Sequence, residues 1–177
     1  LTGIGHILEK AGYNTRYLIG NADFGGVKDL LTAYHIPVVS EENTIGEYQK
    51  VDHGLHDHDL FQEAKLQVNE LSQDTNAPFA LFLSTVNTHF PNGIYDERME
   101  QYISKKDNDL EFSVSSVDYL IKDFITYIKA KKLFENTAIF IFPDHLFMGA
   151  NNKVTDNLEK SKRELYLLTN VSENKLN

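Results

Sequence analysis

The chain contains no cysteine, which excludes disulfides, a thiolate metal site and a cysteine nucleophile while remaining compatible with a reducing or an oxidising compartment. It also lacks any run of about 18 apolar residues and any basic-then-apolar start, so neither a transmembrane helix nor a signal peptide is expected within these residues. An initiator methionine is missing too. Because Leu1 runs straight into a helical pattern, we expect a piece of a longer protein. The 17 Lys and Arg form no long basic stripe and are outnumbered by 26 Asp and Glu, giving a net charge of -9 and a pI near 5.2. Nucleic-acid affinity comes largely from clustered cations, so nucleic acid is not an expected partner. No internal repeat and no low-complexity tract is present. What remains is 177 residues with 41% hydrophobic content, enough for one soluble domain over residues 1–177 with a proper core.

Helix and strand signals alternate along the chain. Ile4, Ile7, Leu8 and Ala11 recur at helical spacing with Gly12 as C-cap, and a strand follows at Arg16 to Ile19. Phe24 to Ala33 reads as helix, weakened at Gly25 and Gly26, before an extended His35 to Val39. Leu60, Phe61, Ala64, Val68 and Leu71 trace a helical face with Asp57 or Asp59 as N-cap, and Pro78 to Leu83 is a fully apolar strand. Pro91 to Asp109 reads as a long loop, after which Val117, Leu120, Ile121, Phe124, Ile125 and Ile128 form an apolar stripe. Ala138 to Phe142 then reads as a strand buried on both faces, Met148 to Lys160 as loop and Leu165 to Leu168 as a last strand, with a fraying tail beyond Val171. The alternation predicts an α/β fold, a three-layer sandwich with a mostly parallel central sheet.

Three places could carry chemistry. Asp144 and His145 stand side by side at the carboxyl end of the Ala138 to Phe142 strand, and in open α/β sheets that edge binds ligands. Carboxylate oxygen and neutral imidazole nitrogen are compatible ligands for one zinc or manganese ion. His89, in Asn87-Thr88-His89-Phe90-Pro91, also follows an apolar strand. If both strands are interior members of one parallel sheet, His89 and Asp144 share a cleft. The third place, Asp52 to Asp59, holds His53, His56 and His58. That density imitates a metal site, but the segment adjoins a helix start, where capping and dipole complementarity account for the acids.

Read together, these segments resemble the phosphoglycerol transferase I and lipoteichoic acid synthase group of the sulfatase-like alkaline phosphatase superfamily. Ile7 to Tyr13 is similar to the group's helix before a strand, and Gly54-Leu55-His56-Asp57-His58-Asp59-Leu60-Phe61 to its Gly-Leu-x-Asp-x-x-Leu-Phe segment. More specific are Phe82 to Pro91, which resembles the strand and Thr-His loop, and Phe134 to Ala138 through Asp144-His145-Leu146, which resembles the helix, Asn-Thr step, strand and Asp-His pair. Leu146 resembles the phosphoglycerol transferase I branch, since sulfatases usually have Gly there.

This resemblance implies a truncated alkaline-phosphatase-like domain, the carboxyl-terminal part of a larger catalytic domain. Asp144 and His145 would be two ligands of a catalytic manganese or zinc ion, and His89 would contact the substrate phosphate or sulfate. The implied activity of the parent is transfer of a phosphoglycerol group from a phospholipid headgroup to a periplasmic or cell-surface glycan or polymer, at the extracytoplasmic face of the membrane. Alternatives are a sulfatase or phosphodiesterase of the same fold, and a noncatalytic glycan- or headgroup-binding domain. In the group a nucleophilic Thr, a further acidic metal ligand and a membrane anchor precede the matched region, and nothing in this chain matches them. The fragment alone is therefore expected to be inactive and to hold metal weakly or not at all. His53 departs from the group, which often has an aromatic residue there.

Overall fold

A computed structural model describes residues 2–74, 76–89, 91–145 and 167–171. The predicted loop at Met148 to Lys160, the tail beyond Val171, and Phe90 and Leu146 of the two motifs lie outside the described residues. Helix α1 (Ile4–Lys10) leads through Ala11 and Gly12 into β1 (Asn14–Ile19), and α2 (Val27–Ala33) leads into β2 (Val38–Val39). Then come α3 (Asp57–Leu71), β3 (Phe79–Ser84) and α4 (Asp109–Ala130). The predicted long loop before α4 contains a short 3-10 helix at Glu97–Gln101.

The central sheet has the order β2-β1-β3, with both pairings parallel. Parallel neighbours need a crossover, and the helices supply it while covering the apolar strands. Leu18 of β1 is fully buried with Val39, Leu60 and Ala64, against Leu81 and Leu83 of β3. The α3 stripe expected from its 3.6-residue period faces this sheet. On its other flank α3 contributes Phe61 to a second cluster with Met99, Phe112 and Leu120, so α4 docks on α3. Asn108 caps α4 by accepting from the Glu111 amide at 2.9 Å, as its short polar side chain favours.

Two expectations are corrected. The N-cap of α3 is His56, whose side chain makes no capping bond; Asp57 and Asp59 instead occupy the first turn. The stretch from Ala138 to Phe142 is not an interior strand of the parallel sheet. Only Phe140–Ile141 forms a strand, β4, which pairs antiparallel with β5 (Leu168–Thr169), and Phe140 and Phe142 are 48% and 65% exposed. Asn170 closes this small ribbon, its side chain accepting from the Ile139 amide at 2.8 Å and donating to the Thr137 carbonyl at 2.9 Å. An apolar run states that a strand has side chains to bury; it carries no information on which edge will receive them.

Candidate functional site at the carboxyl edge of the sheet

Because Ile19 of β1 pairs with Ser84 of β3, the chain segments leaving the two strands emerge at one edge. A third segment is pressed onto that edge. The Leu55 amide donates to the Gly20 carbonyl at 3.2 Å, and Gly54 adopts φ +92 so close to β1 that a Cβ there would lie 1.9 Å from the Gly20 oxygen. Only glycine tolerates both the left-handed backbone and the contact. This brings His53 and His56 over the end of β1, their rings packed edge to face at 4.9 Å. His53 is held below the usual imidazole range, first by burial and then by His56.

The turn carrying His89 is tied to the start of α3. Asp57 is completely buried, and its two carboxylate oxygens accept from the amides of Val86 at 2.7 Å and Asn87 at 3.0 Å. Asn87 reciprocates, its side-chain oxygen accepting from the Asp57 amide at 3.2 Å while its side-chain nitrogen meets His56 Nδ1 at 3.3 Å. Burial pushes the Asp57 carboxyl up to about 7, against the pull of the two amides. Below it, Arg98 bridges two further buried acids, contacting both oxygens of Asp59 at 2.8 and 3.0 Å and both of Asp96 at 2.8 Å. Burial alone would raise Asp96, but the Arg98 guanidinium holds it below its ordinary value. The acids between residues 57 and 59 are thus consumed in structural bonds. Among the described residues no group of three or more His, Asp or Glu side chains is arranged to hold a metal.

His89 itself is exposed at this edge, its ring against Phe24 at 5.9 Å between centroids, nearly perpendicular. Asp144 and His145 follow β4, with side chains 83% and 55% exposed and His145 Nε2 3.6 Å from Asp144 Oδ1. Since β4 pairs with β5 and not with β3, the premise of one sheet edge shared by His89 and Asp144 does not hold among the described residues. The carboxylate and imidazole fit a divalent cation as two of its ligands. By themselves they do not close a site.

Residues 1–167 match the sulfatase family model. The chain belongs to the sulfatase family. Phosphoglycerol transferase I of Citrobacter koseri is 32% identical over 169 residues, covering 90% of this chain and 22% of that protein. The enzyme of the same name from Escherichia coli strain 55989 is 31% identical over the same shares. This sulfatase-family chain therefore spans about a fifth of the length of the curated relatives it matches. Among solved structures, an alkaline phosphatase superfamily protein from Vibrio parahaemolyticus superposes with a TM-score of 0.69 at 24% identity, covering 94% of this chain and 40% of that one. The lipoteichoic acid synthase LtaP from Listeria monocytogenes gives 0.69 at 19%, covering 92% and 40%. The expected sulfatase-like family and the fold, a parallel sheet with flanking helices, are borne out. Asp57, which ties the start of α3 to the segment after β3, is the residue that pattern reading undervalued. Its signal was present, because it occupies the Asp of the Gly-Leu-x-Asp segment, but read locally it looked like a cap.

The buried carboxyl gives a pH prediction. An unfolded Asp titrates near 3.9, so a folded value near 7 means the native state holds this proton more tightly. The stabilisation is complete below the unfolded value and is lost as pH rises toward 7. His53, lowered on folding, acts in the opposite sense, so a difference measurement is needed. In urea unfolding between about pH 4 and pH 8, the stability gap between wild type and Asp57→Asn should shift against the wild type as pH rises and flatten above pH 7. A gap independent of pH would contradict the assignment.

Proposed function

We propose that this chain is the carboxyl-terminal part of the catalytic domain of a phosphoglycerol transferase, which moves a phosphoglycerol group from a phospholipid headgroup to a glycan or polymer outside the cytoplasmic membrane. The observation that carries this reading is the 32% identity, along nearly the whole chain, with a protein named phosphoglycerol transferase I. The share of each relative left unmatched supports a larger domain, with the nucleophile, a further acidic ligand and a membrane anchor in the remainder. No helix among the described residues is long and apolar enough to cross a membrane.

In this reading Asp144 and His145 supply one carboxylate and one imidazole to a manganese or zinc ion, which when bound offsets the negative charge of a phosphoryl group. His89 donates a hydrogen bond to a phosphate oxygen. Phe24, against the His89 ring, limits where that donor can aim. The nucleophilic hydroxyl belongs to the remainder of the domain, so this chain alone binds and orients but does not turn over.

The test uses the enzyme that contains this chain with phosphatidylglycerol labelled in its headgroup. Label should pass to a glycan or polymer acceptor with release of diacylglycerol. Label released only to water would make the protein a hydrolase of the same fold, the reading that the family's name favours. Binding of headgroup or glycan without turnover would make it a recognition domain.

A further inference from the structure

We infer that Asp57 is a positioning residue for His89, holding the turn that presents it although the two side chains do not form the same contact. This rests on the reading of His89 as a phosphate donor. A capping carboxylate would normally accept from amides of its own helix. Asp57 does something else, because both of its oxygens go to amides of the segment that follows β3.

From there every step to His89 is a hydrogen bond. The Val86 amide is fixed by Asp57, and the Val86 carbonyl accepts from the His89 amide at 2.8 Å. The Asn87 amide is fixed likewise, and the Asn87 carbonyl accepts from the Ile94 amide at 2.7 Å. The His89 carbonyl accepts from the Gly93 amide at 2.9 Å, which closes the turn. Gly93 can make this closure because it takes φ +75 where a Cβ would press on Leu110 of α4 at 3.0 Å. The His89 amide and carbonyl are therefore referenced, through Val86, Asn87 and Gly93, to the first turn of α3, a 15-residue helix packed on the sheet. Binding turns of this kind usually belong to the least stable part of a fold, and here a buried acid removes that freedom. Arg98 steadies the same helix start from beneath through Asp59 and Asp96.

The experiment measures amide hydrogen exchange by NMR in this chain, together with titration of sn-glycerol 1-phosphate followed on the His89 ring resonances. In Asp57→Asn, which keeps one acceptor, the His89 and Gly93 amides should exchange about tenfold faster while amides of β1 and α4 keep their wild-type rates. Asp57→Ala should exceed that. Affinity for glycerol 1-phosphate should fall with the same grading, toward that of His89→Ala, at unchanged folded fraction. Should Asp57 variants fail to fold, Asn87→Ala removes the reciprocal side-chain bonds and should give the same selective effect. Unchanged exchange at His89 and Gly93, or acceleration spread evenly over β1 and α4, would overturn the inference. A wild-type His89 that ignores glycerol 1-phosphate would refute the substrate reading instead, and the exchange rates would then decide the positioning role alone.

Discussion

Asp144→Asn, introduced into the enzyme that carries this chain, is expected to lower phosphoglycerol transfer about a thousandfold while leaving the fold intact. The side chain is 83% exposed, so replacing a carboxylate with an isosteric amide disturbs no packing and removes one negative charge. That charge is what would bind the cation, whose stabilisation of a phosphoryl transition state amounts to several kcal/mol and hence to three decades or so in rate. His145→Ala should act in the same direction. Headgroup release from labelled phosphatidylglycerol reads the loss, and urea unfolding shows that stability is unchanged. Full turnover in Asp144→Asn would remove the pair from the chemistry.

The largest structural effect is expected at Gly54. Gly54→Ala places a methyl group 1.9 Å from the Gly20 oxygen and 2.8 Å from the Asn21 nitrogen, both backbone atoms, at a φ of +92 that disfavours any side chain. Backbone cannot swing aside as a flexible side chain does. Either the 53–56 segment lifts from β1 or the end of β1 bends, and we expect a loss of about 4 kcal/mol in unfolding free energy. The damage should not stay local. Lifting this segment moves His56 away from Asn87, and with it the turn that carries His89. A loss under about 1 kcal/mol would mean that the Gly20–Gly54 approach is not the clamp described here.

The longer helices were legible from their periodicity, and β1 and β3 from their apolar runs, although β3 lies at the edge of the described sheet and is only half-buried. In α3 the spacing of Leu60, Phe61, Ala64, Val68 and Leu71 names the buried stripe, and all five are buried, Leu60 and Ala64 in the cluster on the sheet and Phe61 in the cluster with α4. β3 was recognised one residue early, at Pro78 rather than Phe79, since proline lacks the amide that a ladder requires. The start of α4 at Asp109 was hidden because its first two turns bury Leu110, Phe112, Ser113 and Ser116, a face too polar to stand out as a stripe. β4 shows what composition leaves open. Its residues are as apolar as those of β3, yet their partner is the distant Leu168–Thr169, and a pairing across that separation leaves no mark on either segment. Asp57 fails for the same reason: its meaning depends on amides 29 and 30 residues away. The Asp-His pair was picked out by its place after an apolar strand, whereas the resemblance covered Asp57 in the Gly-Leu-x-Asp segment without giving it a role.

The central claim is that Asp144 and His145 belong to a divalent metal centre completed by residues elsewhere in the catalytic domain. Calorimetric titration of this chain with manganese, and separately with zinc, tests it most directly. Two ligands predict weak binding, and that binding should disappear when Asp144→Ala and His145→Ala are combined. Tight binding that survives the double substitution would contradict the account and would return the metal to His53, His56 and His58.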